Sequence, residues 1–317
     1  MKPHARLWGP LILGALASHA NADESIVNLW RPGQLGSMAA IAHEPGWTLP
    51  VVYLNMAVAG SDSRALPATG HLDTKVKGRV NMAFFVPTYT FETTLWGGRP
   101  SLGLGIGAGR TRSQAAATLT VPVLGPISGT QRDAVTGVSD IYPNANVKWN
   151  DGVHSYMAYA SGVLPVGSYR QSRLANTGAN RWAVDAGAGY TYFDQKKGLE
   201  FSLVGGMNYK ARNPASDYRS GAEAHIDWAT SYFFLPNVHA GLVGYFYRQL
   251  KGDSGSGAVL GTLKSSLNGI GPQAGMFFEA GGQLYYLNAK AYHEWGAKNR
   301  AEGWNFWLTL VVPFKAK

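Results

Sequence analysis

Between Ser139 and Pro165 the chain reads SDIYPNANVKWNDGVHSYMAYASGVLP. The first half keeps Asp140, Tyr142, Asn144, Asn146 and Lys148 at every second position, with Ile141, Pro143, Ala145, Val147 and Trp149 between them. Successive side chains of a strand point to opposite faces, so this ribbon is wet on one side and oily on the other. Asn150-Asp151-Gly152 turns it back into a second extended run. The oily side must lie against a protein core or against hydrocarbon, and that choice constrains the rest of the chain.

The pattern recurs. RWAVDAGAGYTY sets Trp182, Val184, Ala186, Ala188, Tyr190 and Tyr192 against Arg181, Asp185 and Thr191. LEFSLVGGMNYK sets Leu199, Phe201, Leu203, Met207 and Tyr209 against Glu200, Ser202, Asn208 and Lys210. WNFWLTLVVPF keeps Trp304, Phe306, Leu308, Leu310, Val312 and Phe314 in phase. In KVKGRVNMAFFV the same rule divides Lys75, Lys77, Arg79 and Asn81 from Val76, Val80, Met82, Phe84 and Val86. Period-two runs of this kind predict about twelve strands of roughly 10–13 residues. Their spans are about 47–58, 75–88, 101–112, 138–149, 152–164, 181–193, 199–210, 219–231, 238–249, 269–280, 283–294 and 303–314.

Strands of about 9–11 residues, tilted, cross a bilayer. The connections alternate in length as well. Asn150-Asp151, DQKKG, FFLPN and Gly281-Gly282 are short, whereas 59–74, 113–137, 165–180 and 250–268 are longer and polar. Outer-membrane barrels pair short periplasmic turns with long outer loops. The connections 89–100 and 295–302 break that alternation, the first too long for its side and the second too short. A soluble two-sheet sandwich would account for the alternation but not for the strand lengths or the loop asymmetry. Closure also pairs every backbone N–H and C=O, as hydrocarbon demands. The expected fold is therefore all-β: a transmembrane, antiparallel, up-and-down β-barrel with the oily faces on lipid and the polar faces on a lumen. Trp47, Trp149, Trp182, Tyr209, Trp228, Trp304 and Phe314 fall near strand ends, where an aromatic belt belongs.

Charged residues make up 15% of the 317, below the roughly 25% of a typical soluble domain. Cysteine is absent, which excludes a disulfide framework, a thiolate metal site and a cysteine nucleophile. MKPHAR, the apolar LWGPLILGALA and Ala20-Asn21-Ala22 read as a cleaved secretory signal over 1–22. Without Lys2 and Arg6, 26 of the 28 basic residues face 19 acidic ones, a formal charge of +7. No run of five basic residues occurs, so the charge suits anionic lipid headgroups, lipopolysaccharide or a pore lining rather than nucleic acid. The expected location is the outer membrane of a Gram-negative cell. Residues 23–46, ahead of a barrel over 47–317, carry Leu29, Trp30, Leu35, Met38 and Ile41 among small residues. The segment is either a disordered tail or a plug folded into the lumen, and the preference of these side chains for burial favours the plug.

Enzyme-like motifs are weak. GLGIGAG matches a dinucleotide fingerprint only in its glycines, because Leu102, Leu104, Ile106 and Ala108 continue a strand. GDSGS, Gly252 to Ser256, resembles the nucleophile loop of trypsin-like proteases without the rest of that constellation. EAHIDW puts Glu223, His225 and Asp227 on one face, and the next strand offers Tyr245, Tyr247 and Gln249. His-x-Asp alone is a weak metal signal, and a hydrogen-bonded lumen network or a ligand-contact patch fits better. The candidate lumen residues are Lys75, Lys77, Arg79, Tyr142, Lys148, His225, Asp227, Tyr245 and Tyr247, with no catalytic residue, metal or cofactor expected. The basic members would favour anionic solutes through a positive lumen potential.

Gly137, SDIYP (139–143), Trp149, LPVGSY (164–169), NTGANRW (176–182), Tyr190, Asn213, YRSG (218–221), Asp227, GYFYRQ (244–249), DSG (253–255) and GIGP (269–272) follow one another in a telling order. With PGQLG (32–36) and Pro45-Gly46 near the start, the chain resembles the family called putative MetA-pathway of phenol degradation. The resemblance implies an outer-membrane barrel for passive uptake of apolar or aromatic molecules. Two other readings stay open: a structural or receptor barrel without transport, and a barrel-embedded lipid or ester hydrolase using Ser254 or His225. The sequence leaves the solute, the gating and the oligomeric state open.

Overall fold

The computed structural model describes residues 29–66, 70–121, 125–258 and 261–314. The signal segment expected at 1–22, Asp23–Asn28 and the terminal Lys315-Ala316-Lys317 lie outside the described residues. In chain order the strands are β1 (Gly46–Leu66), β2 (Gly70–Phe85), β3 (Thr88–Thr90), β4 (Arg99–Val121), β5 (Gly125–Asp151), β6 (His154–Val163) and β7 (Ala183–Asp194). They continue as β8 (Leu199–Lys210), β9 (Glu223–Leu235), β10 (Val238–Gln249), β11 (Ser266–Ala280), β12 (Gln283–Lys298) and β13 (Glu302–Phe314).

Neighbours in sequence pair antiparallel, and β1 closes on β13 from Trp47↔Phe314 to Ala59↔Glu302. Closure leaves no sheet edge for lipid to meet. The short β3 pairs with both β1 and β4 and so continues the line of β2. Pro87, which has no N–H to give the ladder, separates the two pieces. The wall is thus the expected twelve-stranded barrel with one strand interrupted. Both wall ends, Gly46 and Phe314, lie with the short turns, such as that at Gly152, whose positive φ of 63° suits glycine. Short turns mark the periplasmic end.

The spans 199–210 and 238–249 coincide with β8 and β10. The stretches 59–74 and 113–137, expected as loops, are instead mostly strand. β1 and β2 stay paired from Ala59↔Lys77 to Leu66↔Gly70, and β4 and β5 from Ser113↔Asp133 to Val121↔Gly125. These ribbons make β1 21, β4 23 and β5 27 residues long. A crossing needs only about 9–11 residues. Beyond the bilayer no hydrocarbon lies against the outer face of these strands, so nothing there enforces the oily-polar alternation by which strands are read.

The barrel interior is filled. Leu29 and Trp30 pack in one buried cluster with Leu54, Met56, Val80, Met82, Phe84, Tyr142, Tyr245, Tyr247, Tyr292 and Trp307. Between β4 and β5 the register shifts at Ile106/Ala108, and both Ser139 and Asp140 turn inward. The Ser139 hydroxyl accepts from the Gly107 N–H at 2.8 Å and donates to the Asp140 carbonyl at 2.7 Å. A bulge of this kind re-aims every later side chain of its strand. Here it carries Tyr142 and Lys148 to the lumen.

Candidate functional site

Residues 29–45 run through the lumen, and the inward side chains of most strands meet them. Trp30 lies deepest. Its indole stacks on His225, with centroids 4.7 Å apart, and on Tyr247 at 5.5 Å, and meets the edge of Tyr245 at 5.8 Å. The indole N–H donates to Asp227 Oδ2 at 2.8 Å. That oxygen also faces His225 Nδ1 at 3.1 Å, while His225 Nε2 faces Asp185 Oδ2 at 3.0 Å and the Tyr159 hydroxyl at 3.3 Å. With both ring nitrogens engaged by carboxylates, His225 has no lone pair directed at an open metal position. The remaining oxygens, Asp185 Oδ1 and Asp227 Oδ1, are buried without a partner.

The neighbouring residues are held as closely. The Arg31 guanidinium sits in the corner formed by the rings of Phe84 and Tyr142, 4.2 Å from each centroid. Trp307 donates to the Pro32 carbonyl at 3.1 Å, and Lys290 Nζ to the Gly33 and Leu35 carbonyls at 2.7 and 3.2 Å. Gly33 has a φ of +82°, and a Cβ there would sit 2.5 Å from the Tyr292 ring, so only glycine fits. Ser37 donates to Glu200 Oε2 at 2.9 Å and the Met38 N–H to Glu200 Oε1 at 3.0 Å. Further along, the Ala40 N–H donates to Thr191 at 3.1 Å and Lys148 Nζ to the Ile41 carbonyl at 2.9 Å. Arg99 reaches the His43 carbonyl at 3.2 Å. The irregular segment therefore finds on the barrel wall the partners that a regular element would find in itself.

At the outer mouth three connections, 164–182, 211–222 and 250–265, interlock. Asp140 accepts from the Gly167 and Ala179 N–H groups, both at 2.8 Å. Asn180 donates to Asn213 at 2.8 Å, which donates to the Tyr169 hydroxyl at 2.9 Å. Arg219 and Ser254 exchange backbone bonds at 2.9 Å, which ties Ser254 into this network. Asp217 accepts from Arg212 at 2.7 Å and from the N–H and hydroxyl of Ser256 at 2.8 and 2.7 Å. Those donors hold the Asp217 carboxyl down at about 2. SDIYP, LPVGSY, NTGANRW and YRSG, separate in sequence, converge on this mouth.

Of the residues expected to line the lumen, Tyr142, Lys148, His225, Asp227, Tyr245 and Tyr247 face inward and meet or surround the N-terminal segment. Lys75, Lys77 and Arg79 do not. They are exposed on the outer face of β2, while Val80, Met82 and Phe84 of the same strand are buried inside. The phase of β2 is opposite to the expected one because the N-terminal segment supplies an apolar surface within the barrel, and the β2 basic residues contribute no lumen lining. Alternation placed Asp185 and Glu200 on the polar, inner face, and the same rule would have placed Lys290 there. Nothing in the sequence marks Trp30 as the residue that meets His225 and Asp227.

A family model described as putative MetA-pathway of phenol degradation matches residues 61–310. No curated protein matches. Among solved structures, the chain is similar to the COG4313 outer membrane channel from Pseudomonas putida F1, with 18% identity, a TM-score of 0.65, and 90% of this chain and 100% of that one covered. It is also similar to a Pseudomonas aeruginosa FadL homologue, with 8% identity, a TM-score of 0.43, and 87% and 92% covered.

Proposed function

The chain belongs to the family of the putative MetA-pathway of phenol degradation, outer-membrane β-barrels, and from that premise we propose that it is a passive channel for small aromatic molecules. The observation that carries the reading is the seat of Trp30. A flat ring lies between His225 and Tyr247 and gives its one N–H to Asp227. A phenol offers the same two features, a ring face and one strong donor, so the seat has the chemistry of an aromatic site. In the resting barrel the N-terminal segment holds it, as a plug. Apolar surface around the ring supplies affinity, and the carboxylate selects solutes with a donor. That the similar structure from Pseudomonas putida is an outer membrane channel supports the same reading. With Lys75, Lys77 and Arg79 on the outer face, the lumen offers no β2 basic row to favour anions, so the proposed solute is a neutral phenol.

The test labels the protein with 5-fluorotryptophan and assigns the Trp30 resonance through Trp30→Phe. Phenol should shift that resonance at concentrations where toluene, which lacks the donor, leaves it in place. In planar bilayers Trp30→Ala should raise ion conductance severalfold. A Trp30 resonance unmoved by saturating phenol, with unchanged conductance in Trp30→Ala, would sink the reading and favour a structural or receptor barrel.

A further inference from the structure

The outer face of β2, β4 and β5 changes character abruptly along its length. On β4 the outward row is Leu102, Leu104, Ile106 and Ala108, followed by Arg110 and Arg112. Leu102 to Arg110 is eight steps, about 26 Å along the strand and about 20 Å of height at a tilt of about 40°. The apolar row therefore nearly fills the lipid-facing band, and the arginines stand at its outer rim. Beside them on β2, Arg79 lies directly opposite Arg112, and Lys77 opposite Gln114. Arg132 of β5 lies opposite Gln114 on the other side.

Lys75, Lys77, Arg79, Arg110, Arg112 and Arg132 are all exposed, and none makes an ion pair among the described residues. The nearest acidic group on this face of β2 is Asp73, which accepts from the Ser63 hydroxyl at 2.6 Å. Like charges placed directly opposite across a ladder repel, so the Arg79–Arg112 pair lowers the stability of the sheet unless an anion bridges it. Below them Asn81 faces Tyr53 and Asn55 in a polar row, as befits a headgroup zone.

We propose that this outer rim is a docking surface for the phosphorylated headgroup of the outer-leaflet glycolipid, lipopolysaccharide, with Arg79 and Arg112 clamping a phosphate between them. Guanidinium groups bind phosphate through paired N–H donors, and the opposed arginines present two such forks to one anion. The acyl chains of the same lipid would lie on Leu104 and Ile106, directly beneath. A lipid is favoured over a free anion because the cationic row continues into an apolar one on the same strand. The proposal does not depend on what crosses the lumen.

The experiment measures lipid A binding to the detergent-solubilised full-length mature protein by native mass spectrometry, against lipid A stripped of its phosphates. The Lys77→Gln/Arg79→Gln/Arg112→Gln variant should bind intact lipid A about a hundredfold more weakly, from roughly fivefold per cation at an anionic surface. The wild type should show a comparable loss towards the dephosphorylated lipid, a comparison that needs no variant to fold. Arg79→Lys/Arg112→Lys, which keeps the charge but loses the paired donors, should bind more weakly than the wild type and more tightly than the triple variant. Lys196→Gln/Lys197→Gln in a periplasmic turn should keep all of the binding. Equal binding of the two lipids, or an unaffected folded triple variant, overturns the proposal. Full competition by millimolar inorganic phosphate overturns it too, because it would show an anion site indifferent to lipid.

Discussion

The two walls of the lumen are made of similar strands and lined by opposite chemistry. On β1 and β2 the inward side chains are Leu54, Met56, Val80, Met82 and Phe84, all buried against the N-terminal segment. On β7, β8, β9 and β12 they are Asp185, Glu200, His225, Asp227 and Lys290, buried as deeply and engaged in hydrogen bonds. One segment serves both walls. Leu29 and the Trp30 ring satisfy the apolar side, while the indole N–H, Ser37 and the backbone of Gly33 to Met38 satisfy the polar side. A barrel interior takes its character from what fills it, and a plug with two faces allows two kinds of wall.

The contrast is broken most severely by a charge on the apolar wall. Met82→Lys places an unpaired ammonium among buried hydrocarbon and should cost several kcal/mol. Lys77→Gln, on the outer face of the same strand, should stay within about 0.5 kcal/mol of wild type. Urea titration of barrels refolded in phospholipid vesicles, followed by tryptophan fluorescence, separates the two. Equal effects would mean that β2 is the other way round.

Trp30→Ala comes next, because it removes a ring that touches both walls. Losing a buried tryptophan costs about 3–5 kcal/mol. Here the loss falls on the seating of residues 29–45 rather than on the closed sheet, so limited proteolysis should release the segment while the barrel stays intact. Glu200→Gln tests the polar wall alone. It weakens the bonds from Ser37 and the Met38 N–H, at about 1.5–3 kcal/mol for contacts to a charged group. Hydrogen exchange at Met38 should quicken, with little change at Trp30.

The smallest effect belongs to the outer mouth, where Asp217 is exposed. Its folded-state carboxyl titrates at about 2, below the ordinary value of 3.8. A lowered acid stabilises its loop fully above the ordinary value, and that contribution is lost as pH falls through about 2. Protection from exchange in residues 211–222 and 250–258, taken relative to the intrinsic rate at each pH, should therefore fall between about pH 4 and pH 2. Asp217→Asn should show faster exchange at neutral pH and no such step.

How much of this was legible depends on where a residue stands relative to lipid. In β7, β8 and β13 the oily and polar faces differ sharply, and Val184, Phe201 and Phe306 point outward as the alternation requires. In β2 both faces carry a plausible lining. Arg79 can stand outside because it lies at the headgroup rim, and Met82 can stand inside because the plug is apolar there. Alternation divides such a strand into two faces without saying which is the inner one. The ribbons beyond Ala59 and Ser113 were illegible as strands for a related reason: in water, no hydrocarbon sorts their side chains. Within the site, His225 and Asp227 could be picked from their spacing on β9. Their partner Trp30 is almost two hundred residues away, in a segment without periodicity.

What the amino-acid order settled alone was the class of fold: about twelve membrane-crossing strands, the antiparallel hairpins joining them and the need to close, since strands of that length in hydrocarbon tolerate no unpaired edge. The inner face of β2, the bulge at Ser139 and the seat of Trp30 were decided by the folded whole. Each depends on contacts between parts distant in sequence, and a lumen acquires its chemistry only when the wall and the segment inside it are present together.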